Sequence, residues 1–211
     1  MSIGLWGLAG LFAAMLINRA ADCWLNPARL SCGVTRHPRR TQLVVLGVPA
    51  IFILLSWPDP LSHNLPAACL MSAVMVLLAV IDWEQRRVPN IIVLPATAVA
   101  LALAWAGGAL LSSAAAAALA FAFFLALHAL GRRLFGPGAL GMGDVKLAAL
   151  IGAVFGVEHV VYALGLGVLL AGAAAAGLLA TGRAQRGDTL PFGHFMALAA
   201  VFVLPAAIWR L

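Results

Sequence analysis

Charge is what this chain has least of. Only 9% of its 211 residues are Asp, Glu, Lys or Arg, against about a quarter in an average soluble domain. Seven acids, thirteen basic residues and five histidines cannot cover the surface of a soluble fold of this size, which excludes a water-soluble globular domain. An apolar share of 64% excludes a disordered chain. Cysteine is scarce as well. Cys23, Cys32 and Cys69 form no C-x-x-C pair, and the interval from Cys23 to Cys32 fits neither a common zinc spacing nor a disulfide framework. Cys69 lies in an apolar run and reads as a small packing residue. There is no H-E-x-x-H and no G-x-S-x-G, and His37, His63, His128, His159 and His194 are scattered. His128 reads as a packed or interfacial residue. The stretch 136–141 has the letters of G-x-G-x-x-G but no strand before it and no βαβ unit around it. What the chain has in quantity is long apolar runs, with a mean hydropathy of +1.05. The composition predicts an all-α, polytopic membrane protein.

Eight runs are candidate spans: 3–17, 41–57, 65–81, 90–106, 109–130, 140–156, 159–181 and 190–209. The links between them are short and rich in Gly and Pro, so residues 1–211 read as a single membrane domain, with 18–40 as its longest loop. The net charge of +6 does not form one patch, which argues against a nucleic-acid partner. Arg19, Arg29, Arg36, Arg39 and Arg40 fall in the first loop, Arg86 and Arg87 in the third, Arg132 and Arg133 in the fifth, and Arg183 and Arg186 in the seventh. The even-numbered loops carry none. Loops rich in Lys and Arg stay in the cytoplasm, so the alternation predicts both termini outside. The first span has no basic residues ahead of it and is not expected to be a removable signal peptide. Trp6, Trp24, Trp57, Trp83, Trp105 and Trp209 fall near span ends, as an interfacial belt requires. The small-residue runs 114–118 and 171–177 read as close helix-packing faces.

Among the acids, Asp22, Asp59, Glu158 and Asp188 read as solvated loop charges. Asp82 and Asp144 differ, because each falls at the cytoplasmic end of a span. Asp82 ends the third, where the helix dipole disfavours a carboxylate by a few tenths to ~1 kcal/mol; the plainer reading pairs it with Arg86, one turn on, before Pro89 stops the helix. Asp144 has the residue type of an N-cap. The apolar run after it is short, however, so the sixth span is expected to draw in preceding residues and set Asp144 and Lys146 at or below the membrane surface, where ionisable groups are usually functional. Gly141 and Gly143 leave room beside the acid for another backbone. Two carboxylates on different helices but one face can form a dyad that shares a proton. The charged member can then activate water while the protonated one donates to a peptide carbonyl. Spacing alone does not say whether the two converge.

At these residues the chain resembles the type IV prepilin peptidases, the bacterial branch of the Gly-x-Gly-Asp intramembrane aspartyl proteases. Gly141-Met142-Gly143-Asp144-Val145-Lys146-Leu147 is similar to that family's G-x-G-D-x-K-[LF] block. Ile81-Asp82 through Val88-Pro89-Asn90 resembles its first aspartate block, and Pro191-Phe192-Gly193 its P-F-G. Gly10 to Arg19, closing on Leu16-Ile17-Asn18-Arg19, faintly resembles its first span. The resemblance implies Asp82 and Asp144 as the catalytic pair, with Pro89, Asn90, Gly141, Gly143, Lys146, Pro191, Phe192 and Gly193 supporting them.

It further implies a multi-pass protein of the cell inner membrane that cleaves basic leaders from prepilins or pseudopilins. The cut falls after a Gly, at the cytoplasmic face, in pilus assembly or type II secretion. Glu84 and Asp188 would attract the leader. Lys146 would tune the dyad or pair with a lipid phosphate. No cofactor is expected for proteolysis and no metal site, because two C-x-x-C pairs common in longer members are absent. N-methylation with S-adenosylmethionine, common in the family, is left as an alternative, and His194 stands where a Pro is common. From another class, a proton-coupled transporter would also use membrane carboxylates, and a non-catalytic scaffold for a pilus or secretion machine is a third reading.

Overall fold

The computed structural model describes residues 2–25, 38–57, 59–136, 140–183 and 191–208. Arg29, Cys32, Arg36, Arg186, Asp188 and Trp209 lie outside the described residues. Among the described residues seven helices follow in order: α1 (Ser2–Leu25), α2 (Pro38–Ser56), α3 (Leu65–Gln85), α4 (Asn90–Ala106), α5 (Leu110–Phe135), α6 (Met142–Ala180) and α7 (Phe192–Ile208). No strand occurs among the described residues. Five helices, α1, α2, α3, α5 and α6, are long and apolar enough to cross a membrane, and α4 and α7 are shorter apolar helices. Large apolar side chains such as Leu43, Leu111, Leu169 and Phe202 are exposed, as they are on a bundle whose outer solvent is lipid. The chain is an all-α polytopic membrane bundle.

Seven helices answer eight expected spans because α6 is two arms. At Gly156 the backbone leaves the helix (φ 61°, ψ −177°), a left-handed conformation that glycine adopts without strain. The Val157 N–H, freed by the break, donates to Ser112 Oγ of α5. Distances show that the arms double back. Gly193 of α7 faces Asp144 near the start of the first arm, while a Cβ on Gly167 of the second arm would lie 2.9 Å from Met196 Cα. Met196 is one turn from Gly193. A straight α6 would carry Gly167 about 35 Å from Asp144 at 1.5 Å per residue. The first arm, 142–155, is about 21 Å long on the same scale, short of a ~30 Å hydrocarbon core. The span draws in Met142 and Gly143 before Asp144, as expected, but without reaching that thickness. The arm starts at Met142 and stays short.

Helix ends differ from the apolar runs wherever polar residues continue a helix past the lipid. α1 reaches Leu25 and α2 starts at Pro38, so the long loop is narrower than 18–40, and Asp22 and Arg40 are helical. Close packing rests on small residues, as in other membrane bundles. A Cβ on Gly10 would lie 2.6 Å from Pro49 Cα, and one on Gly152 would lie 2.6 Å from Ala116 O. The run 114–118 is thus a packing face. The run 171–177 is not: Ala171 is buried, but nothing lies within 4 Å of a Cβ on Gly172 or Gly177. Cys23 is disulfide-bonded, against the expectation from its spacing, while Cys69 is free and buried.

Candidate active site

Asp82 and Asp144 meet at Gly193. A Cβ on that glycine would lie 2.9 Å from Asp144 Oδ1 and 3.0 Å from Asp82 Oδ2. The two oxygens are therefore no more than about 6 Å apart, within the range at which like charges oppose joint ionisation. Asp82 is 3% exposed and Asp144 8%.

Local sequence brings them together from three directions. α3 stops at Gln85 because Arg86 turns left-handed (φ 52°), its N–H returning to Asp82 O. The helix thus ends before Pro89, which the sequence placed as the stop. Pro89 is instead the N-cap of α4, where its carbonyl accepts from Ile92 and Val93 N–H. The connecting link passes over the start of α6 at Gly143, where a Cβ would lie 2.9 Å from Val88 Cβ. Only a residue without a side chain lets the two segments approach so closely. Asp144 is not an N-cap. It is the third residue of α6, with Oδ2 accepting the N-cap Gly141 N–H at 3.3 Å. His128 of α5 holds the same turn: its Nδ1 lies 2.6 Å from Leu140 O, and since a carbonyl only accepts, Nδ1 carries the proton.

α7 supplies the third side. Phe192 is its first residue, so the N–H groups of Gly193 and His194 are among the four that no helical carbonyl takes. His194 N–H donates to Asp82 Oδ2 at 2.7 Å, and Gly193 lies against Asp144 Oδ1. The positive end of α7 thus faces the carboxylate that the end of α3 disfavours. Arg86, expected from sequence as the partner of Asp82, lies close enough to act on that carboxylate through its charge, and the His194 N–H adds a hydrogen bond from α7. The Phe192 ring lies 6.3 Å from buried Phe124 of α5, fixing the first turn of α7 from the other side.

The dyad opens on a cavity of about 600 Å³ lined by Asp82, 85–90, 141–144, Pro191 and Phe192. Of the supporting residues named from sequence, Pro89, Asn90, Gly141, Gly143, Pro191 and Phe192 line it, and Gly193 lies against both carboxylates. Lys146 donates from Nζ to Asn90 Oδ1 at 2.8 Å, which ties α6 to α4. Asp22, read from sequence as a solvated loop charge, is instead helical and paired with Arg40, which is 8% exposed and also pairs with Glu84, at 3.2 Å to Oε2. Among the described residues no three His, Cys, Asp or Glu side chains are grouped to hold a metal ion. Spacing gave no sign of His128, the His194 N–H or the Arg40 triad, since each acts across helices far apart in sequence.

Residues 69–180 match the family model described as the type IV leader peptidase family. The prepilin leader peptidase/N-methyltransferase of Pseudomonas putida is 26% identical over 173 residues, 81% of this chain and 60% of that protein. The type 4 prepilin-like proteins leader peptide-processing enzyme of Escherichia coli O78:H11 (strain H10407 / ETEC) is 29% identical over 192 residues, 89% of this chain and 65% of that protein. The chain thus spans less than two thirds of the length of these relatives. No solved structure matches it. The matched region covers more than half of the chain and includes both aspartates with the ends of α3 and α6 that carry them: the chain belongs to the type IV leader peptidase family.

Proposed function

We propose that this protein is an aspartyl endopeptidase of the cell inner membrane. Its substrates are type IV prepilins or pseudopilins, whose basic leaders it removes at the cytoplasmic face. The observation that carries the reading is the meeting of two buried carboxylates at Gly193, on the wall of a cavity large enough for a few residues of extended peptide. One carboxylate takes a proton from water as the water oxygen attacks the scissile carbonyl carbon. The other, protonated, donates to the carbonyl oxygen; the first then passes the proton it took from water to the departing nitrogen, while the second takes back a hydroxyl proton as the gem-diol collapses to the carboxylic acid. No cofactor enters these steps. A helical peptide hides its carbonyl in a hydrogen bond, so the substrate must unwind, and a cut close to the end of its apolar helix makes that easier.

Charge supports the orientation. Among the described residues, Arg19, Arg39, Arg40, Arg86, Arg87, Arg132, Arg133, Lys146 and Arg183 all fall on the helix ends and links at the dyad's end of the bundle. Lys and Arg favour the cytoplasmic side, which supports the reading with both termini outside. Both acids sit at that one end, which suits peptide hydrolysis there better than a proton relay through the membrane.

Membranes carrying Asp82→Asn or Asp144→Asn, incubated with a prepilin, should leave the leader attached. Cleavage should fall by at least ~10³-fold while the protein stays inserted and folded. Normal processing by either variant would sink the dyad. The Pseudomonas putida relative is also named an N-methyltransferase, and methyl-labelled S-adenosylmethionine in the same incubations tests that second activity: label on the new terminus requires cleavage first.

A further inference from the structure

The histidine that follows the Pro-Phe-Gly segment touches the site in three ways. Its backbone N–H donates to Asp82 Oδ2 at 2.7 Å. Its ring Nδ1 donates to Ala79 O, one turn before Asp82 on α3, at 2.9 Å. The same ring lies 4.9 Å from that of Trp83, inclined at 47°. A carbonyl can only accept, so the bond to Ala79 fixes the proton on Nδ1. Neither ring contact belongs to α7's own helical bonding. Together they bolt the first turn of α7 onto the last turns of α3.

We propose that His194 is a positioning residue for Asp82: the ring locks the start of α7 against α3, and the lock aims the His194 N–H at the carboxylate. The inference rests on the reading of Asp82 as half of a catalytic dyad. It explains why this position accepts a residue with an N–H. A proline here would have no donor, and Asp82 Oδ2 would lose the one hydrogen bond that comes from α7. It also separates the two parts of the residue. The side chain acts on the orientation of the turn, and the main chain acts on the acid.

Three substitutions divide those parts. His194→Ala keeps the N–H and loses the lock. His194→Asn keeps the N–H and places a side-chain donor near the former Nδ1. His194→Pro loses the N–H at a helix first turn, where proline is tolerated. Each is assayed for prepilin cleavage in the full-length, membrane-inserted protein, beside Asp82→Asn. His194→Ala should lower kcat about tenfold with KM within about twofold of the parent, and His194→Asn should recover most of the loss.

His194→Pro should lower kcat further and move the activity–pH profile to higher pH, because a donor to a carboxylate favours its charged form and that donor is gone. The groups facing Asp82 are Asp144, Arg86 and His194 itself, and the first two are unchanged. Parental kcat in His194→Ala, or an Asn variant no better than Ala, overturns the proposal. A folded Pro variant with an unmoved profile does so too. If the Pro variant does not insert, the Ala–Asn comparison decides. Full activity in Asp82→Asn would instead overturn the dyad, a separate failure.

Discussion

At Gly193 the lack of a side chain is what lets two acids share one space. A methyl group there would sit 2.9 Å from one carboxylate oxygen and 3.0 Å from the other, closer than real Cβ contacts come. Neither acid can yield easily: Asp82 is tied to His194 N–H, and Asp144 to Gly141 N–H. Gly193→Ala should therefore spread the carboxylates and cut cleavage by about 10²-fold, the scale of a ~1 Å misplacement of a reacting group. Helix content and insertion should change little, because alanine suits a helix better than glycine does. An alanine variant with parental cleavage would mean that the carboxylates do not work as the pair seen here. The sequence supplied this glycine only as part of a resemblance. Its role is visible only when α3, α6 and α7 are assembled, because no local pattern shows that a residue touches two others 49 and 111 positions away.

Individual helices were legible where their apolar runs ended in clear signals. α4 begins and ends at the expected Asn90 and Ala106 because Pro89 and Gly107 bound it. The ends of α1 and α2 were not legible, because polar residues continue those helices beyond lipid and hydropathy registers only the apolar part. That hidden extension builds the ion-pair cluster. Arg40 on α2 reaches Asp22 on α1 and Glu84 on α3, so three helices are tied two residues from Asp82. Arg40 Nε is buried without a partner, and the carboxylates are only 16% and 14% exposed. Removing one partner of a buried charge pair costs on the order of 3–5 kcal/mol because the other charges remain uncompensated. Arg40→Met should therefore destabilise the bundle by an amount near that range in detergent unfolding. Adding Asp22→Asn and Glu84→Gln should return much of the loss. A triple variant no more stable than Arg40→Met would show that the arginine acts by packing alone.

The whole molecule turns on whether α6 crosses the membrane once or twice. As one rod its 39 residues would extend about 58 Å, nearly twice the ~30 Å hydrocarbon core, with no run of charge inside to mark a boundary. Reversal at Gly156 resolves the mismatch. It also shortens the first arm, so the dyad sits below the ends of longer neighbours. α5 continues seven residues past His128, which meets the turn before Asp144, a reach of about 10 Å. The acids thus lie in a recess rather than on a rim. The two topologies differ in where residue 182 emerges. With the reversal it lies on the same side as the Arg86–Arg87 link, and with a single crossing it lies opposite. Alkaline phosphatase, which needs disulfides that form only outside the cytoplasm, separates the two. Fused after Gly108 it should be active, and fused after Gly136 or Gly182 it should be inactive. Activity after Gly182 together with inactivity after Gly136 would mean a single crossing. The second arm would then be unable to bring Gly167 back to Met196, and α7 would arrive at the dyad from the wrong side.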